Sequence, residues 1–233
     1  MATQYANGRI VTDSLLVVLD ASDKLSYPGS GATWTDVSGN GRNATIAGTV
    51  TTGNNFGGYI ETPANQTSTC VILPESAPQA LTNGLIFSIE WWCTMKDTGG
   101  GRYQMSMVNS GGGNLFIIGK DASTFSIYAV SLLAGNAPTY TVNVPQQLVV
   151  TSDGSNQRFY KNGVITGTWG APLSEIKTTC GWIIDQEQDA CKGAFDPNQN
   201  TYGWWHSVKM YNKMLSAAEV AQNYNALKSR FGL

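Results

Sequence analysis

Asp185, Glu187 and Asp189 stand at alternating positions, so an extended strand would carry all three carboxylates on one face and Gln186 and Gln188 on the other. Such a row repels itself, and Lys192 is the one cation near it in sequence. Two chemistries could use it. A hard divalent ion would turn repulsion into attraction, and Ca²⁺ favours several oxygen ligands at ~2.3–2.6 Å. Alternatively, paired carboxylates could act on a glycosidic bond. Downstream, Trp204-Trp205-His206 is the strongest candidate for an exposed aromatic patch, on which Trp204 and Trp205 would stack against the apolar faces of a sugar. Alternation sends at least one of that pair inward. His206 reads as a surface residue, and Trp91, Trp92 and Trp169 read as core or sheet-face side chains.

Other chemistries fail on inventory. His206 is the single histidine, and it lies in no Gly-x-Ser-x-Gly or Cys-His context that would activate a nucleophile. Zinc would need clustered His or Cys, which the spacing does not provide. Gly99-Gly100-Gly101 and Gly111-Gly112-Gly113 read as loop tips and not phosphate cradles, because neither leads into a helix. A net charge of -2 with no basic stripe argues against nucleic acid. The longest apolar run, Leu15 to Leu19, is too short for membrane insertion.

No basic segment followed by an apolar run of secretory length opens the chain, so the expected place of synthesis and residence is the cytoplasm, with exit by lysis or assembly. That setting favours reduced thiols at Cys70, Cys93, Cys180 and Cys191. A straight strand from Cys180 to Cys191, rising ~3.3 Å per residue, would also hold the two ends too far apart to bridge. Buried free thiols are therefore expected.

The elements that must position these residues read as strands. The 233 residues include 26 Gly, are 42% hydrophobic and only 13% charged, the balance of a single all-β domain with many tight turns. Leu85-Ile86-Phe87-Ser88-Ile89-Glu90-Trp91-Trp92-Cys93 alternates, placing Phe87, Ile89, Trp91 and Cys93 on one face. Further strand-like runs occur at 15–19, 115–118, 125–130, 147–151, 157–160, 163–166, 182–184 and 207–211, and Cys180 and Cys191 flank what reads as one extended strand. Asn162-Gly163 is the clearest hairpin signal. One helix is predicted near the end: Ser216-Ala217-Ala218-Glu219 fits a capping box, Leu215 and Val220 take the staple positions, and Val220, Tyr224 and Leu227 form an apolar stripe. Residues 1–13 read as a polar arm ahead of one domain spanning 14–233.

Gln186-Glu187-Gln188-Asp189, followed by Phe195-Asp196-Pro197-Asn198-Gln199 and Leu215-Ser216-Ala217-Ala218-Glu219, resembles the C-terminal order of pentraxins. Thr151-Ser152-Asp153-Gly154 with Tyr160-Lys161-Asn162-Gly163 is similar to a hairpin of laminin-G-like domains. Leu19-Asp20-Ala21, Ser26-Tyr27-Pro28-Gly29-Ser30-Gly31, Trp34-Thr35-Asp36 and Ser38-Gly39-Asn40-Gly41 resemble the opening of laminin-G-like proteins encoded by bacteriophages. The resemblance implies an all-β, two-sheet antiparallel jelly-roll sandwich, concanavalin A-like, with a short C-terminal helix. It also implies a Ca²⁺ site in which Glu187 and Asp189 give carboxylates, Gln188 its main-chain carbonyl, and Gln199 and Asn114 side-chain oxygens. Gly113 stands where the pattern has an Asp, which removes one charge and weakens the site. The Q-E-Q-D context does not fit the E-x-D-x-x-E spacing of jelly-roll glucanases.

The function expected from this is a non-enzymatic, lectin-like structural protein of a phage virion, assembled in the host cytoplasm. It would decorate or cement the capsid, with a homo-oligomer and the major capsid or another virion protein as partners and host-surface glycans as further ligands. A stand-alone soluble lectin is the first alternative, and a jelly-roll glycan hydrolase is a distant one.

Overall fold

The structure, a computed structural model, describes residues 4–5, 8–65, 68–97, 99, 102–121, 124–129, 131–133, 138–170 and 175–233. Residues 1–3 and 6–7 of the expected arm, Gly100, Gly101 and Val130 lie outside the described residues.

Two eight-stranded sheets face one another. One orders β16 (Val164–Trp169), β15 (Gln157–Lys161), β14 (Gln146–Asp153), β9 (Ile86–Met95), β18 (Gly203–Tyr211), β7 (Tyr59–Thr62) and β6 (Thr51–Gly53). In that sheet β3 (Leu15–Asp20) pairs with the second half of β18. The other orders β13 (Ser131–Leu133), β12 (Thr124–Ala129), β11 (Asn114–Asp121), β10 (Arg102–Val108), β17 (Trp182–Ile184), β8 (Cys70–Leu73), β5 (Ala44–Ala47) and β4 (Thr33–Trp34). All these pairings are antiparallel, as expected for the jelly roll. No helix of the described residues is long and apolar enough to cross a membrane.

The core follows from alternation. Phe87, Ile89, Trp91, Cys93 and Met95 of β9 point between the sheets, where they meet Leu148 and Val150, Met105 and Met107, Phe116 and Ile118, and Trp182 and Ile184. Burial of so many large side chains, each contributing roughly 1.5–3 kcal/mol, drives the sandwich together. The opposite face of β9 is buried too, because the C-terminal helix covers it. That helix, α2 (Ala217–Leu227), which follows the single turn α1 (Ser76–Gln79), starts where the sequence places it: Glu219 N donates to Ser216 Oγ at 3.3 Å, and Ser216 N donates to Glu219 Oε2 at 2.8 Å. Leu215 and Val220 pack on Val149, Tyr160 and Tyr211. Trp92 stacks on Phe231 with ring centroids 4.1 Å apart.

Under α2 lies a charged cross-strand pair. Lys209 Nζ is 2.9 Å from Glu90 Oε1, and both side chains are 0% exposed. Asn223 of the helix donates to Glu90 Oε2 at 2.6 Å and to the Tyr211 hydroxyl at 2.9 Å. Its carbonyl accepts from Val11 N at 2.7 Å, and the Tyr211 hydroxyl donates to Val11 O at 3.3 Å. Ile10 and Val11 are buried against this assembly. Ahead of them, β1 (Gln4–Tyr5) and β2 (Gly8–Arg9) form a two-stranded ladder, and Gln222 donates to Arg9 O at 3.0 Å.

Candidate functional site

The acidic segment is not a strand. β17 ends at Ile184, and Asp185 takes a left-handed backbone with φ 76°, so the chain turns out of the sheet. Asp185 N donates to Gln104 O at 2.7 Å, and beyond it side chains replace the ladder. Ser106 Oγ donates to Gln186 O at 2.9 Å and accepts from Gln188 N at 3.2 Å. Gln188 Nε2 donates to Ser106 O at 3.0 Å, and its carbonyl accepts from Lys192 N at 2.9 Å. Gln186 Nε2 reaches Asp196 O at 3.0 Å. The two glutamines, expected to face away from the acids on a regular strand, are instead the pins of a folded loop.

The turn also corrects the cysteine expectation. With the chain doubled back, the Cα atoms of Cys180 and Cys191 lie 5.0 Å apart and the pair forms a disulfide. Cys70 and Cys93 remain free and buried; burial first, then the Asp185 carboxylate, pushes the Cys70 thiol up to about 12. In denaturant without reductant, thiol titration is expected to find two of the four cysteines free. A count of four would remove the bridge.

The three carboxylates go to three environments. Asp185, which alternation grouped with Glu187 and Asp189 on one face, is completely buried; it accepts a short hydrogen bond from Thr201 and another from Trp205 Nε1 at 3.3 Å. Burial raises its pKa well above the ordinary carboxylate value. Glu187 is 6% exposed and accepts from Asn114 Nδ2 at 3.1 Å. Burial, then the negative charges of Asp189 and Asp196, hold its pKa above the usual range, while Asn114 pulls the other way. Asp189 is exposed. Gly112 sits against this loop with φ 82°, and a Cβ there would meet Asp189 O at 2.4 Å, so only glycine allows the two loops to touch.

Four of the five expected ligands can be compared with the resemblance directly. Asn114 and Glu187 are in contact, Asp189 is close enough to act on Glu187, and Gln199 Oε1 is a buried oxygen with no hydrogen-bond partner. Gln188 has its side chain committed to Ser106 and Lys192, which leaves its main-chain carbonyl as the group the resemblance assigns. Asp196, which sequence reasoning did not select, adds charge to the group. Among the described residues, no three His, Cys, Asp or Glu side chains gather closely enough to hold a metal by themselves. Any ion here would rest on two carboxylates supplemented by amide and main-chain oxygens.

The aromatic patch needs correction. Trp205 is 0% exposed and belongs to the core between the sheets, so it offers no face to a sugar. Trp204 is partly exposed, but its indole is stacked on Tyr59 with centroids 4.1 Å apart and carries Lys96 Nζ at 3.3 Å from the ring centre. His206 is buried, not at the surface. The Gly58 carbonyl, 2.9 Å from Nδ1, fixes the proton there, and Nε2 at 2.9 Å accepts from the Thr94 hydroxyl. The cause is a β-bulge between Trp205 and Ser207, which shifts the alternation so that Trp205, Val208 and Met210 all face the core. Trp91, Trp92 and Trp169 are buried as expected.

No protein-family model and no curated relative matches the chain. Solved structures do. The chain is similar to Trypanosoma rangeli sialidase in complex with the inhibitor DANA, with a TM-score of 0.62, 16% identity, and coverage of 93% of this chain and 33% of that one. It is similar to botulinum neurotoxin type C, from a structure describing cell entry dependent upon interaction with two ganglioside molecules, with a TM-score of 0.68, 17% identity, and coverage of 93% and 52%. It is also similar to the binding domain of Paraclostridial Mosquitocidal Protein 1, with a TM-score of 0.67, 15% identity, and coverage of 92% and 52%. The chain thus spans a third to a half of these proteins. At such identities the likeness speaks for architecture alone, and that architecture is a two-sheet, concanavalin A-like β-sandwich.

Proposed function

We propose that this chain is a non-enzymatic, lectin-like structural protein of a bacteriophage virion, decorating or cementing the capsid, that binds glycans and takes Ca²⁺ at the 187–199 loop. The observation that carries the calcium reading is the Asn114–Glu187 contact, with Asp189 and Asp196 near enough for their charges to act on Glu187. Glycan binding is supported by a shared architecture: the structure of the similar neurotoxin concerns ganglioside interaction, and the mosquitocidal fragment is a binding domain. The absence of catalysis is supported by the fate of the candidate groups. Asp185 is sealed in the core, Glu187 is held by Asn114, and both His206 nitrogens are engaged.

The phage setting rests on the opening motifs from Leu19 to Gly41, with a second copy of this chain and the major capsid protein as partners. The Cys180–Cys191 bond suits a virion surface after lysis, and it equally suits the second reading, an exported stand-alone lectin. Mass spectrometry of purified particles separates the two; recovery from a host secretion and not from virions reverses the order.

Calcium binding is tested by melting. An ion bound only to the folded state stabilises it by ~2.7 kcal/mol at about a hundred times Kd. With only two carboxylates expected to bind directly, millimolar Ca²⁺ is the relevant range. Millimolar Ca²⁺ is expected to raise the melting temperature, EDTA to reverse the rise, and Asp189→Asn to abolish it. Identical calcium responses in wild type and Asp189→Asn would remove the ion from this proposal.

A further inference from the structure

A second site lies at the edge of the sandwich, away from the acidic loop in sequence. A cleft of about 360 Å³ opens between the turn at 27–32 and the chain from Ile46 to Thr52. Its size falls in the range of small-ligand pockets, about 300–1,000 Å³. Two hydrogen bonds clamp its walls: Ile46 N donates to Ala32 O at 2.8 Å, and Thr52 Oγ1 donates to Gly29 O at 3.1 Å. The Tyr27 hydroxyl fastens the turn from inside by donating to Gly31 O at 3.2 Å.

The chemistry of the walls is specific. Tyr27 and Ile46, both buried, underlie the floor and half-buried Val50 gives it apolar surface, while exposed Ser30 and Thr49 give hydroxyls. Gly29 and Gly31 take φ of 105° and 96°, and a Cβ at Gly31 would meet nothing within 4 Å, so bare peptide groups border open space. No lining residue carries a charge, and the exposed Lys24 ammonium stands outside the walls, 3.9 Å from where a Gly29 Cβ would lie. An apolar floor with hydroxyl and peptide groups around it matches a sugar ring, which has one C–H face and a rim of hydroxyls. A carboxylated or sulfated sugar seated against these uncharged walls would lose hydration, with only the exposed Lys24 ammonium outside them to compensate.

From this we infer that the cleft binds the uncharged terminal residue of a glycan. The inference rests on the lectin reading above and names the place and class of ligand within it.

A printed array of neutral-terminated and acid-terminated glycans tests it with three proteins: wild type, Ala32→Trp and Asp189→Asn. Ala32 is exposed on the wall, so an indole there blocks the cleft without entering the core. Neutral-terminated glycans are expected to bind wild type and to bind Ala32→Trp about tenfold or more weakly, the equivalent of ~1.4 kcal/mol. Thr49→Trp, from the facing wall, gives the same blockade should Ala32→Trp melt early. Binding that survives both tryptophans, or that is confined to acid-terminated glycans, overturns the cleft and leaves the lectin reading standing. Binding lost only in Asp189→Asn moves the ligand to the calcium loop and overturns the cleft as well. No binding by wild type to any glycan overturns both.

Discussion

Lys209→Met is expected to lower the folding free energy by about 3–5 kcal/mol, as measured by urea unfolding at neutral pH. The substitution keeps the length of the side chain and removes its charge. Glu90 would then remain at 0% exposure, 2.9 Å from where its cation had been, with Asn223 as a neutral partner only. An uncompensated carboxylate in that position cannot be rehydrated without lifting α2 from the sheet. The double variant Glu90→Leu/Lys209→Met is expected to regain most of the loss, because replacing both members of a buried pair by apolar groups is often close to neutral. A single variant as stable as wild type would mean that water reaches Glu90 beneath the helix.

The second large effect depends on pH. Burial pushes the His206 imidazole down from 6.5 to about 3, with Arg230 and Lys96 opposing its charge and the Gly58 carbonyl and Asp20 favouring it. A folded state that binds the proton less readily than the unfolded chain is stabilised at high pH. His206 therefore contributes full stability above about 6.5, loses it progressively as pH falls, and reaches its full penalty near 3. The gap corresponds to roughly 4–5 kcal/mol across the window. Asp185 works in the opposite sense, since its raised pKa favours the fold at low pH. The measurement is thus a difference: wild type minus His206→Gln from pH 7 to 3, in which the other groups cancel. Wild type is expected to lose several kcal/mol more than the variant, and parallel curves would place His206 in contact with water.

How much of this was legible depends on how local each determinant is. The capping box at Ser216 and Glu219 closes within one helical turn, so the sequence carries the whole interaction. The alternation along β9 is equally local and gave the correct inward face. The 185–191 loop has the alternation of a strand, but Ser106, about 80 residues away, holds it. Nothing near Gln186 or Gln188 announces that partner, and the Cys180–Cys191 pairing follows only once the loop is folded. Alternation likewise required one Trp of 204 and 205 to face inward, but the bulge that decides which, and that buries His206, belongs to the pairing of β18 with β9. The cleft was hidden for a similar reason. Its walls come from two turns whose Gly, Ser and Thr residues look like ordinary punctuation until the hydrogen bonds from Ile46 and Thr52 bring them together.

The Cys180–Cys191 bridge spans a sequence separation of only 11 and braces a loop at the rim of the sandwich. Recombinant material from a reducing host would therefore keep its sheets and its far-ultraviolet spectrum while leaving the Glu187–Asp189 segment without its covalent brace. Two batches of one polypeptide, indistinguishable by size or circular dichroism, would then differ in the calcium response proposed for that segment. Oxidation state belongs among the recorded properties of every sample before a binding result is compared between laboratories.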